Sequence, residues 1–126
     1  MSGQVVHFEI PAENVDRASE FYRSAFSWDV TPVKGMNYWG LTTTPHDDEG
    51  SPLAPGAING GLFERDAKLT TPILTIDVAD IDAALAKIEE LGGATVQPKA
   101  DVPGMGFSAY FTDSEGNLMG LWQNLE

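Results

Sequence analysis

The sequence carries two histidines, nineteen carboxylates and no cysteine, and these bound the acid, base and ligand chemistry open to it. His7 and Glu9 stand two residues apart in Val5-Val6-His7-Phe8-Glu9-Ile10, where alternate residues of an extended chain share a face. An imidazole beside a carboxylate can act as an acid/base pair, the carboxylate raising the basicity of the ring. It can also begin a nitrogen-and-oxygen donor set for a divalent ion. The plainer reading is a hydrogen-bonded polar patch, and with no second catalytic group identifiable it is the preferred one. His46 adjoins Asp47 and Asp48 without the spacing of a cation-binding loop, so a solvated loop is the better reading there. No Gly-x-Ser-x-Gly elbow exists. The glycine runs Gly56 to Gly61 and Gly104-Met105-Gly106 lack the strand-to-helix setting of a phosphate loop. With no cysteine there are no disulfides, thiolate metal sites or cysteine nucleophiles, which is compatible with a reducing cytoplasm.

The elements that must position His7 and Glu9 lie in Val5 to Phe26, VVHFEIPAENVDRASEFYRSAF. A weaker copy returns after Pro72 as PILTIDVADIDAALAKIEELGG. Each copy reads as a short strand, a polar break and an amphipathic helix. Asn14 and Asp80 are placed to cap the helices. The expected apolar stripes are Val15, Ala18, Phe21, Tyr22, Ala25 and Phe26 in the first, and Ile81, Ala84, Leu85, Ile88 and Leu91 in the second. Laid over each other without a gap, the copies put His7 opposite Ile73, an offset of 66.

The rest of each copy follows the same order. Trp28 to Val33 and Tyr38 to Thr43 read as a hairpin around Lys34 to Asn37, and Ala57 to Glu64 as a further strand. The Gly60-Gly61 pair there suggests a bulge or a place where another group approaches the backbone. Between them, Pro45 to Gly56 packs prolines, glycines and three consecutive acids into an irregular loop. In the second copy the strands are Ala94 to Pro98, Phe107 to Thr112 and Leu118 to Trp122. The unit is βαβββ, twice: an α+β chain, residues 1-126 as a single domain, with a first module at 4-64 and a second at 72-126. Halves this small would bury too little surface to stand alone.

Nineteen acids against seven bases give a net charge of −12. That repels nucleic-acid backbones and anionic membranes and attracts cationic ligands; a highly soluble surface is the simpler explanation. No apolar run approaches the roughly 20 residues of a membrane span, and the N-terminus has no signal-peptide pattern. A soluble cytoplasmic protein is expected.

The paired βαβββ order, His7 ahead of Asn14-Val15 and Phe21-Tyr22, and the ending Tyr110-Phe111-Thr112-Asp113-Ser114-Glu115-Gly116-Asn117 together resemble the vicinal oxygen chelate superfamily. Its members include glyoxalase I, extradiol dioxygenases and bleomycin-resistance proteins. Gly120-Leu121-Trp122-Gln123 further resembles a bacterial, glyoxalase-related branch. The resemblance implies curved mixed sheets enclosing a cup, commonly in a homodimer. It also implies four inward metal-ligand positions, on the first and last strand of each half. Here His7 matches, while Ile73, Gly120 and Gly61 take the other three. A lone imidazole does not hold a divalent ion tightly, so no metal and no cofactor is expected, with Glu9 the one candidate for a rebuilt site. The resemblance thus implies that Ile73 and Gly120 face a ligand, and if Gly120 does, strand parity turns Leu118 and Trp122, and in the first half Asn59 and Phe63, the same way. The sequence thus points to a protein that binds a small cationic or aromatic molecule without metal, with no nucleic-acid or membrane partner. The alternative is a metal-dependent enzyme of the glyoxalase or dioxygenase type, lactoylglutathione lyase-related or dioxygenase-like, using His7 with a bound cation. A docking module recognised by its acidic face has only charge in its favour.

Overall fold

The computed structural model describes residues 3–125. Its described residues form two compact units: His7–Pro72, and the stretch from Ile73 onward together with the residues before His7. Both units are α+β, and each builds a mixed sheet from the βαβββ order read in the sequence.

In the His7–Pro72 unit the elements are β1 (Val5–Ala12), α1 (Val15–Phe26), β2 (Asp29–Pro32), β3 (Trp39–Thr42) and β4 (Gly60–Glu64), the first two residues of β1 falling outside the unit. The strand order is β2-β3-β4-β1. β1 and β4 run parallel, pairing Glu9 with Gly61 and Ile10 with Leu62, while β3 meets β4 antiparallel, pairing Gly40 with Gly61. Asn14 caps α1 by accepting from the Arg17 amide at 2.9 Å, which satisfies one of the free N–H groups of the first turn. Ser27 ends the helix in the left-handed conformation, φ 60°. On one face of the sheet Ala12, Val15, Val30, Leu41 and Leu62 form the core, with Phe8, Ile10 and Trp39 packed against it. The alternation of β1 therefore leaves His7 and Glu9 on the opposite face.

In the other unit β5 (Ile73–Asp77), α2 (Ile81–Glu90), β6 (Ala94–Val102), β7 (Gly106–Thr112) and β8 (Leu118–Asn124) repeat the plan with order β5-β8-β7-β6. Asp80 caps α2 by accepting from the Ala83 amide, and Gln123 Oε1 accepts from the Ile81 amide at 2.8 Å. Ile81, Leu85, Ala109, Phe111 and Leu121 make the core. β5 pairs parallel with β8, Thr75 opposite Gly120. Since Thr75 is Glu9 plus 66, the Thr75 and Gly120 pair repeats the Glu9 and Gly61 pair of the first unit, and the sequence echo is a register echo.

Four expectations need correcting. Phe21 and Phe26 are 59% and 60% exposed rather than part of a buried stripe. The buried side of α1 runs instead through Val15 and Ser19, and Tyr22 stacks on Trp28 at 4.9 Å, with Phe26 packed on the same indole. Leu91 lies past the end of α2 and is exposed. The strand expected from Ala57 begins only at Gly60, because Ile58 and Asn59 bond to Thr43 and Thr44 through a carbonyl and a side chain instead of through a ladder. The strand expected to end at Pro98 runs on to Val102, taking the proline into an irregular stretch of pairing between Gln97 and Ala100, where a missing N–H is tolerated.

Candidate functional site

The candidate site lies within the His7–Pro72 unit, on the sheet face opposite the core. Strand parity puts His7 and Glu9 there from β1, and Gly61 and Phe63 from β4. Tyr38 immediately precedes β3, and its carbonyl accepts from the Val33 amide at 2.9 Å across the turn that joins β2 to β3. Its side chain crosses to β1, where the phenol oxygen lies 2.8 Å from His7 Nε2. The ring also lies parallel to Phe63, 6.5 Å between centroids and 6° between planes.

Gly61 makes this arrangement possible. A Cβ built on Gly61 would fall on the Tyr38 hydroxyl, with the attached ring carbons close behind. The phenol occupies the space that any side chain at position 61 would enter. The Gly60-Gly61 pair therefore marks a close approach, while the β1–β4 register passes through it without a bulge. At Gly60 the approaching group is Phe8, from the core face.

Burial pushes the His7 imidazole below its usual pKa, and the neighbouring Glu9 carboxylate pulls it part of the way back. The ring is thus neutral at physiological pH. A neutral imidazole offers one donor and one acceptor nitrogen, and with Nε2 engaged by a hydroxyl the pair can exchange a proton with a polar group laid against it. Glu9 is itself only 7% exposed.

These residues do not fit a divalent ion. A tight site needs three or four side-chain donors. Among the described residues no group of three or more histidines and carboxylates is gathered that could hold one. Position 61 supplies no donor, and the phenol holds the nitrogen that His7 would offer.

The remaining sequence candidates divide by unit. Asn59 is spent on its own chain: its Oδ1 accepts from the amides of Thr43 and Thr44 at 2.8 and 2.9 Å, and its Nδ2 donates to the Thr44 carbonyl at 3.1 Å. It braces the end of the long loop against the start of β4. Phe63 is buried against Tyr38. Ile73, Leu118, Gly120 and Trp122 belong to the other unit. There a Cβ on Gly120 would meet Thr75 Oγ1 at 3.1 Å and Ile73 Cγ2 at 3.2 Å, so apolar packing closes around that glycine where a phenol does at Gly61. The Trp122 indole covers Gly106 and donates to Asn124 at 2.8 Å. His46 Nδ1 lies 2.8 Å from the Asp47 carbonyl within the irregular loop. Tyr38 was missed as a site residue. The sign available in the sequence was the Gly60-Gly61 pair, which marks a close approach to the backbone.

Two βαβββ modules, each with a parallel pair of first and last strands, and a histidine on the first strand define a glyoxalase-type repeat protein. The family model described as Glyoxalase/Bleomycin resistance protein/Dioxygenase superfamily matches residues 4–121, and the chain belongs to that superfamily. CFP32 of Mycobacterium tuberculosis, provisionally named a glyoxylase, is 32% identical over 113 residues. That alignment takes in 84% of this chain but only 40% of CFP32, so the chain spans about two fifths of that relative's length. A glyoxylase-like domain-containing protein of Didymella fabae is 29% identical over 126 residues, covering 93% of this chain and 91% of its own. Among solved structures, Streptomyces coelicolor methylmalonyl-CoA epimerase superposes with a TM-score of 0.68 at 20% identity over the whole of both chains. The Mycobacterium tuberculosis epimerase does so at 0.56, with 14% identity over 99% of this chain and 89% of its own. At such identities the likeness is one of fold.

Proposed function

We propose that this protein binds a small molecule against the His7, Glu9, Tyr38 and Phe63 face and does so without a metal ion. The observation that carries the reading is the Tyr38 phenol, which takes His7 Nε2 at 2.8 Å and fills the side-chain space of position 61. The ligand that suits this face has a flat apolar body to lie against the Tyr38 ring, which Phe63 backs, and a polar group for the imidazole-phenol pair. A cationic centre near the Glu9 carboxylate accords with the net charge of −12. The working unit on this reading is a cytoplasmic homodimer.

A second reading, a glyoxalase-type enzyme, draws on the names of the relatives. Here it would run on the neutral His7 and Tyr38 as a proton-transfer pair, since the donor set does not suit an ion.

A thermal-shift screen against basic and aromatic metabolites tests the binding reading. Hits whose stabilisation shrinks in Tyr38→Phe and His7→Gln support it; stabilisation by no compound, or by compounds indifferent to both variants, sinks it. Size-exclusion chromatography with light scattering tests the dimer separately.

A further inference from the structure

The His7–Pro72 unit has a concave feature on its helix side. An open cleft of about 250 Å³ lies at the junction of the end of β1, the first turns of α1 and the residue that follows β4, lined among others by Pro11, Glu13, Arg17, Phe21, Tyr22 and Arg65. β1 and β4 are parallel, so the cleft sits beyond their carboxyl ends, where open sheets of parallel strands leave a crevice.

Both arginines are held there by their backbones. The Arg65 amide donates to the Ala12 carbonyl at 2.9 Å, extending the β1–β4 ladder by one bond. The Arg17 amide donates to the Asn14 cap at 2.9 Å. Their guanidinium groups, by contrast, make no hydrogen bond, ion pair or ring contact among the described residues. The third arginine of the chain, Arg23, spends its guanidinium on the Val30 carbonyl at 3.0 Å. In a chain with seven basic residues against nineteen acidic ones, two unengaged arginines in one cleft are a local reversal of charge.

We propose that this cleft binds a small organic anion, an aromatic ring bearing a phosphate or carboxylate, with Arg17 and Arg65 on the anionic group and Phe21 and Tyr22 on the ring. Guanidinium pairs with carboxylate and phosphate through two parallel charge-assisted bonds. The volume is ample, since a cavity of about 150 Å³ already holds benzene. The overall negative charge does not forbid it: at physiological salt the screening length is about 8 Å, so carboxylates farther off act weakly on a cleft whose lining carries two arginines against one carboxylate, Glu13. Glu13 opposes them and sets a sign test, because removing its charge must strengthen binding.

The experiment is a titration followed by 15N NMR, including the arginine Nε–H signals, with phenyl phosphate, benzoate, inorganic phosphate and benzylamine. The expected result is that phenyl phosphate or benzoate shifts the Arg17 and Arg65 side-chain signals with a Kd of about 1 mM or tighter. Arg17→Gln and Arg65→Gln each weaken this about tenfold, and Glu13→Gln tightens it. Preference for phenyl phosphate identifies the group as phosphate, preference for benzoate as carboxylate. No shift at either arginine by about 10 mM ligand, equal binding of benzylamine, or inorganic phosphate binding as well as phenyl phosphate would each overturn the proposal. The shifts are read at the arginines themselves, so the outcome does not depend on whether the His7 face binds anything.

Discussion

Tyr38 Oη lies 2.8 Å from His7 Nε2, and it lies where the side chain of residue 61 would begin. A phenol contributed from the turn before β3 thus completes the surroundings of an imidazole on β1, and a glycine on β4 admits it. The three positions form one unit of design, and the first three predictions follow from it.

Gly61→Ala inserts a methyl group into the Tyr38 hydroxyl, so the ring must swing away and lose both His7 and its place against Phe63. Overpacking of this kind costs about 1–3 kcal/mol, read as a lower urea midpoint at unchanged slope. Tyr38→Ala should relieve most of that cost in the double variant, which makes the two changes strongly non-additive. Additive costs would mean that Tyr38 does not occupy the space.

Tyr38→Phe keeps the ring and removes only the hydroxyl. It leaves a half-buried His7 nitrogen without its partner, a loss of about 1–3 kcal/mol, with the aromatic stacking intact. Unchanged stability, together with an unshifted His7 Nε2 resonance, would show that the bond carries nothing.

His7 gives a pH signature with a definite sign. Its folded pKa lies below the ordinary 6.5 because of burial, opposed in part by Glu9. Between those two values the unfolded chain binds more protons than the folded one, so stability falls as the pH drops below about 6.5. The folded contribution is fully present above that value. His7→Gln should flatten the slope just below pH 6.5, before the surface carboxylates titrate. A His7 NMR titration with a midpoint above 6.5 would contradict the burial argument.

Asn59 tests a structural role against a binding one. Its Oδ1 serves the Thr43 and Thr44 amides at once, and Asn59→Ala strands them at a cost of about 1–3 kcal/mol. Thermal unfolding should drop while ligand-induced shifts of the folded protein persist. Lost binding at unchanged stability would place Asn59 in the ligand site instead.

The repeat was legible because periodicity and capping residues are local: Asn14 and Asp80 announce their helices, and the offset that matches His7 to Ile73 matches Glu9 to Thr75 in the ladders. Strand parity also put His7, Glu9 and Phe63 on one face. Tyr38 was not legible, since its partner is 31 residues away and its phenol reaches His7 through the side-chain space that Gly61 leaves empty. Asn59 followed parity on paper, but the chain before Gly60 is not a strand, so parity did not apply. The exposed Phe21 and Phe26 show the limit of a helical stripe: apolar residues at the right spacing cluster around Tyr22 and Trp28 without being covered.

The central claim is that the His7 face works without an ion because Tyr38 holds the imidazole nitrogen. Elemental analysis of the purified protein, followed by addition of Ni, Zn, Mn and Fe(II) salts with the His7 ring 15N signals monitored, tests it most directly. The expected result is substoichiometric metal as purified and His7 nitrogens that do not move on addition. One ion per chain, coordinated through His7 Nε2 and lost in His7→Ala, would contradict it.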